Sequence, residues 1–211
     1  MPEGPHVGTD EAGKGDYFGA LVVAAAYADE VALRRLPEAG VRDAKKVAIS
    51  TLWRLEKAVK RICPGYEVVR ISPARYNELH EKMRNLNRLL AWAHARAIEN
   101  LLERVECGLV VADQFGDERF LEESLMRRGK QVRLVQRVRA EADPAVAAAS
   151  VLARAEFLRS MERASGVAGV KLPRGATHVV AAAREIVAKG GEGLLRQVAK
   201  VHFKTTREVL Q

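Results

Sequence analysis

The stretch that most constrains the fold is Cys107-Gly-Leu-Val-Val-Ala-Asp113. It is short and nearly all apolar. A strand of that kind is usually buried on both faces in an α/β sheet. The segment before it is the clearest helix, because Leu86, Leu89, Leu90, Ala93, Ala97, Leu101 and Leu102 recur at helical spacing between Leu86 and Val105. Trp92 and His94 lie off that stripe and read as structural or surface residues. The strand ends in a carboxylate, Asp113, and a buried charge is costly unless something compensates it.

A second acid-bearing strand opens the chain. Asp10 and Glu11 are followed by Gly13-Lys14-Gly15 and then by an apolar run from Ala20 to Tyr27, which together read as an antiparallel hairpin. Neighbouring residues on a strand point to opposite faces, so Asp10 and Glu11 serve one site only if the chain turns there. The glycines permit such a turn and let a partner approach the backbone. Ordinary turn chemistry between two strands is the competing explanation.

A polar loop then leads to Asp43-Ala-Lys-Lys46. Ser50 is expected to cap a helix with Leu52, Leu55, Val59 and Ile62 on its apolar face, stopped by Pro64-Gly65. Tyr66–Ser72 alternates as a third strand, and Pro73 with the polar residues after it marks a break. Past Asp113 the pattern predicts a helix near Glu118–Arg127, a strand from Gln131 to Val138, and a long alanine-rich helix running from Pro144 through Met161. Asp143 directly precedes that proline and is explained as its N-cap. Glu141 has no such duty and is the better candidate for chemistry. A helix from about Thr177 to Lys189, a stop at Gly190-Gly191, a last helix near Leu194–Val201 and a closing Val201–Thr206 segment complete the chain.

The length of 211 residues suits a single domain, 1–211, with a helical C-terminal portion from about 166 to 211. No apolar run approaches the ~20 residues that a membrane span needs, and the start lacks the core of a signal peptide, so the expected location is cytoplasmic. Cys63 and Cys107 have neither CxxC nor Cys/His spacing and read as free thiols. A net charge of +8, from 35 Lys and Arg against 27 Asp and Glu, points to a polyanionic partner.

Four acids gather at strand ends: Asp10, Glu11, Asp113 and Glu141. A buried salt bridge would explain Asp113 alone, but four carboxylates without four matching bases read better as a divalent-cation site. Hard oxygen donors favour Mg²⁺ or Mn²⁺ over zinc. Two such ions suit phosphodiester hydrolysis. Lys14, Lys45 and Lys46 are placed to neutralise phosphates, and the Gly13–Gly15 amides to reach a ribose or phosphate.

The chain also resembles a known family. Gly8-Thr-Asp-Glu-Ala-Gly-Lys-Gly-Asp-Tyr-Phe-Gly19 is similar to the opening motif of type 2 ribonucleases H, and its ending is closer to ribonuclease HIII than to ribonuclease HII. Asp43–Lys46, Val111-Ala-Asp-Gln-Phe115, Ala140-Glu141 with Val146–Arg154, and His202-Phe-Lys-Thr-Thr206 match in the same order. The resemblance implies a ribonuclease-H-like α/β fold, a mixed and mainly five-stranded sheet flanked by helices with a helical C-terminal region. It implies endonucleolytic cleavage of the RNA strand of an RNA/DNA hybrid, leaving 5′-phosphate and 3′-hydroxyl ends, with Asp10, Glu11, Asp113 and Glu141 as the catalytic and metal-binding acids. Ser150, Arg174 and Lys204 join Gly13, Lys14, Gly15, Lys45 and Lys46 as nucleic-acid contacts. The expected enzyme is a monomer with no obligatory protein partner. Incision at single ribonucleotides in DNA, as in ribonuclease HII, is the first alternative; a hybrid-binding protein without catalysis is the second. Ribonuclease HIII proteins usually carry an N-terminal substrate-binding domain, and here the motif begins within ten residues of the start, which implies a member without that domain or one from which it was removed.

Overall fold

The computed structural model describes residues 4–42 and 47–211. Its strands are β1 (His6–Ala12), β2 (Leu21–Ala28), β3 (Gly65–Ile71), β4 (Leu109–Asp113) and β5 (Arg133–Arg137). They form one mixed five-stranded sheet in the order β3-β2-β1-β4-β5. β4 is parallel to both β1 and β5. Val110, Val111 and Ala112 are fully buried, as the apolar run requires of a strand flanked on both edges and covered on both faces.

The helices are α1 (Glu30–Glu38), α2 (Ile49–Ile62), α3 (Pro73–Met83), α4 (Leu86–Leu102), α5 (Glu118–Ser124), α6 (Pro144–Ala168), α7 (Val180–Val198) and α8 (Lys204–Leu210). α1 stands where a polar loop was expected. Asp29 caps it by accepting the Ala32 amide at 2.7 Å, Ala32 and Leu36 are buried, and Pro37 falls in the last turn. α2 starts one residue before Ser50, with Ala48 at its cap and no side-chain cap bond, so Ser50 is not the cap. α3 replaces the expected break: Ser72 is its N-cap, and Pro73 occupies the first helical position, where a missing N–H costs no bond. Gly190 and Gly191 interrupt α7 with non-helical backbone, Gly191 at φ 64°, which is the stop read from the sequence. α8 takes up the end of the closing Val201–Thr206 segment and carries it on as helix to Leu210.

The chain divides into two compact units. One comprises Met1–Ala12, Val23–Val69 and Asn85–Ala155 and holds most of the sheet; the other comprises Gly13–Val22, Arg70–Arg84 and Glu156–Gln211. Among the described residues no helix is long and apolar enough to cross a membrane.

Candidate active site

In the first unit the alternation of β1 sorts its side chains onto two faces. Gly8 and Asp10 share one face, Thr9 and Glu11 the other. On the first face the N-terminal turn of α6 lies against the strand so closely that a Cβ on Gly8 would stand 2.2 Å from the Ala145 carbonyl carbon and from the Val146 nitrogen. Only a glycine admits that approach. Gly8→Ala is therefore expected to cost about 1–3 kcal/mol or more, because the clash is with helix backbone that cannot rotate aside; chemical denaturation would measure it.

The parallel register pairs Thr9 with Ala112, so the next residues of the two strands, Asp10 and Asp113, follow side by side and face the same way. Asp10 is 2% exposed, and its Oδ1 accepts the Glu11 amide at 2.8 Å. Asp113 is half-buried, and its Oδ1 accepts the Ala140 amide at 2.9 Å. Ala140 opens a 3-10 turn, Ala140–Ala142, entered through left-handed Arg139 at φ 59°. Val111, Ala140 and Val146 pack together beneath it. Glu141, the next residue, is thus tethered near Asp113 through its neighbour's backbone.

Asp143 is the N-cap of α6, as its place before Pro144 predicts. Its Oδ1 accepts the amides of Ala145 and Val146 at 2.9 and 3.1 Å. Both of its oxygens also face His6 Nε2 at 2.9 Å, while His6 Nδ1 meets the Gly4 carbonyl at 2.8 Å. Burial pulls the His6 pKa down, but the bonds to Asp143 and Gly4 and the charge of Asp143 outweigh it and raise it above 6.5. A raised folded pKa adds stability that is full below the unfolded value and is lost as pH rises through the folded one. The melting-temperature advantage of the wild type over His6→Gln is expected to be largest below pH 6.5 and to narrow as pH rises; a thermal-melt series at several pH values checks it.

Glu11, on the opposite face, is held by α4. His94 Nε2 donates to Glu11 Oε2 at 3.2 Å, and His94 Nδ1 pairs with Thr9 Oγ1 at 2.8 Å. The Thr9 hydroxyl donates its one proton to the Ala24 carbonyl at 2.9 Å. The imidazole stacks on Phe115, with ring centroids 4.9 Å apart. His94 is fully buried and is no surface residue. Its signal in the sequence is indirect: α4 buries residues around most of its circumference, and a buried imidazole must find a polar partner.

Among the described residues no group of three or more His, Cys, Asp or Glu side chains is gathered to hold a metal ion. Glu11, turned to His94 on the other face, accounts for part of that. The donors are nonetheless carboxylate oxygens, with Asp10 and Asp113 side by side, and in kind this set suits Mg²⁺ or Mn²⁺.

In the second unit Gly13 has φ 87°, and a Cβ there would stand 2.2 Å from the Ala20 carbonyl oxygen. Lys14 is half-buried and Gly15 exposed. Asp16 Oδ1 accepts the Gly175 amide at 2.6 Å, and the Tyr17 amide donates to the Gly175 carbonyl at 2.9 Å. These bonds bring the turn carrying exposed Arg174 against the Gly-Lys-Gly loop. Lys204 is exposed at the start of α8. His202 stacks on His80 at 4.4 Å and on Phe203 at 4.5 Å. Burial, helped by the charges of His80 and Lys200, pushes its pKa down to about 4, so it is neutral at pH 7 and has no acidic proton to give. In the first unit Ser150 is 4% exposed on α6, the place of a small packing residue. Lys45 and Lys46 lie outside the described residues.

The family model described as ribonuclease HII matches residues 7–206. Ribonuclease HIII of Protochlamydia amoebophila (strain UWE25) is 42% identical over 207 residues, covering 98% of this chain and 68% of that protein. Ribonuclease HIII of Chlamydia pneumoniae is 40% identical over 209 residues, covering 97% and 70%. Among solved structures, Bst-RNase HIII in complex with Mn²⁺ superposes with a TM-score of 0.89 at 32% identity, over 98% of this chain and 69% of that one. Ribonuclease H2 from Pyrococcus horikoshii OT3, at 23% identity and a TM-score of 0.83 over 98% and 97% of the two chains, shares the fold. The ordered motifs, the sheet with its paired strand-end acids and these matches lead to one assignment: the chain belongs to the ribonuclease HII family of ribonuclease H enzymes, and its relatives in sequence are ribonucleases HIII.

Proposed function

We propose that this chain is a cytoplasmic, monomeric endonuclease that hydrolyses the RNA strand of RNA/DNA hybrids, leaving 5′-phosphate and 3′-hydroxyl ends, with residues 1–211 as one catalytic domain. The observation that carries the reading is the side-by-side placement of Asp10 and Asp113 on one face, with Asp113 bonded to the turn that holds Glu141. Asp10, Asp113 and Glu141 would hold divalent cations, Mg²⁺ or Mn²⁺, and Glu11 would join them once its carboxylate turns from His94 toward that face. Two such ions supply an activated water and charge neutralisation at the scissile phosphate.

The remaining work belongs to side chains and backbone. The burial of Asp10 keeps water from competing for its oxygens and fixes its rotamer. The amides of Gly13–Gly15 read the ribose 2′-hydroxyl, the group that tells RNA from DNA. Lys14, Arg174 and Lys204 neutralise backbone phosphates, with Lys45 and Lys46 in the same role and Ser150 supporting close approach of α6. The net charge of +8 attracts the polyanion to the surface.

The experiment compares two labelled substrates with Mg²⁺ and with Mn²⁺: an all-RNA strand on DNA, and a DNA duplex containing one ribonucleotide. Cleavage of the hybrid is expected. Cleavage at the single ribonucleotide alone would move the chain to ribonuclease HII-like incision, and hybrid binding with no cleavage in either metal would leave a binding protein.

A further inference from the structure

A lysine normally keeps its ammonium in water, and burying that charge is costly unless its donors are satisfied. Lys200 is fully buried. Its Nζ donates to three backbone carbonyls, those of Asp16 at 2.7 Å, Gly19 at 2.8 Å and Phe18 at 3.3 Å. Its main-chain amide donates to the Tyr17 carbonyl at 2.8 Å. Four consecutive carbonyls of the segment after Gly13-Lys14-Gly15 therefore converge on one residue. The Tyr76 ring lies 5.8 Å from Nζ and closes the site with its π face.

The same peptide planes are gripped at their other ends. The Tyr17 amide donates to the Gly175 carbonyl at 2.9 Å, the Gly19 amide to the Val198 carbonyl at 3.0 Å, and the Ala20 amide to Ser160 Oγ at 3.1 Å. A peptide unit is planar, so fixing both its oxygen and its N–H leaves it no soft rotation. The segment 16–20 is thus immobilised peptide by peptide. The exposed glycine next to it inherits that rigidity: nothing lies within 4 Å of where a Gly15 side chain would start, so this part of the loop is open for a ligand.

We propose that Lys200 is the positioning residue of the Gly13–Gly15 cradle: its buried ammonium gathers the carbonyls of Asp16, Phe18 and Gly19 and thereby holds the loop in the shape that receives the hybrid. The inference rests on the reading of that cradle as the hybrid-binding loop. A preorganised loop lowers the ordering cost of binding, so loosening it weakens substrate capture more than it slows the chemical step.

The test is steady-state cleavage of an RNA/DNA hybrid by Lys200→Met, Ser160→Ala, Lys14→Ala and Gly15→Val. Lys200→Met is expected to raise KM about tenfold, with kcat changed by no more than about threefold. Ser160→Ala, which removes one milder grip, should raise KM about threefold and serves alone if Lys200→Met does not fold. A purely structural Lys200 would behave differently, lowering kcat with the active fraction and leaving KM unchanged. Lys14→Ala and Gly15→Val calibrate the cradle itself. If they raise KM while the Lys200 and Ser160 variants do not, the positioning role is overturned; if they too leave KM unchanged, the cradle reading fails.

Discussion

Asp10→Asn is expected to bind RNA/DNA hybrid at least as tightly as the wild type and to cleave it at least about a thousandfold more slowly. The substitution is nearly isosteric, and the carbonyl oxygen of asparagine still accepts the Glu11 amide that Asp10 Oδ1 accepts at 2.8 Å. The 2% exposed site is refilled without a cavity, so the fold should survive. What disappears is a negative charge beside Asp113. Its loss weakens any divalent cation held there, and it removes a repulsion against the incoming phosphates. Single-turnover cleavage and a parallel binding titration separate the two effects. Full activity in this variant would remove Asp10, and with it the proposed metal site, from the mechanism.

The second large effect is expected at His94. His94→Ala leaves Glu11 Oε2 without its imidazole donor and Thr9 without a partner on that side. Outer partners of metal ligands typically matter by 10- to 100-fold in metal affinity or activity, and a loss of about that size is anticipated. The melting temperature should fall too, because the ring is fully buried and stacked on Phe115. The discriminating measurement is activity against Mn²⁺ concentration. A shift of the half-saturating metal concentration to higher values, with partial recovery at the plateau, fits a residue that aims Glu11. A loss that no amount of metal recovers would make His94 a packing residue alone.

The legible parts of the chain were those whose cause is local. A run such as Leu109–Ala112 can only be content between two strands and under two helical layers, and β4 lies between β1 and β5. Asp143 before Pro144 is a cap for reasons contained within three residues, and the structure bears it out. Local signals also misled. Pro73 reads locally as a break, yet Ser72-Pro73 starts α3. Proline breaks a helix interior but fits its first turn, and the position in the turn decides which applies.

The illegible parts depend on partners far apart in sequence. His94 acquires its meaning from Thr9 and Glu11, more than eighty positions away, and no periodicity of α4 announces which polar residue faces a strand-end acid. The helical pattern near Leu194–Val201 includes Lys200, whereas α7 ends at Val198 and Ala199 forms an isolated bridge with Phe18. The faces of Asp10 and Glu11 are a middle case. Alternation requires them to diverge, and the structure keeps that divergence by continuing β1 to Ala12.

The grip on residues 16–20 bears on engineering. Gly13–Gly19 looks like a portable cassette of seven residues that could be transplanted into another scaffold. Its shape, however, is encoded at Ser160, Gly175, Val198 and Lys200, none of which lies within 140 positions of it. A graft of the cassette alone would carry the glycines and the lysine but lose their geometry, whereas a graft of the second unit's C-terminal segment along with it would carry both.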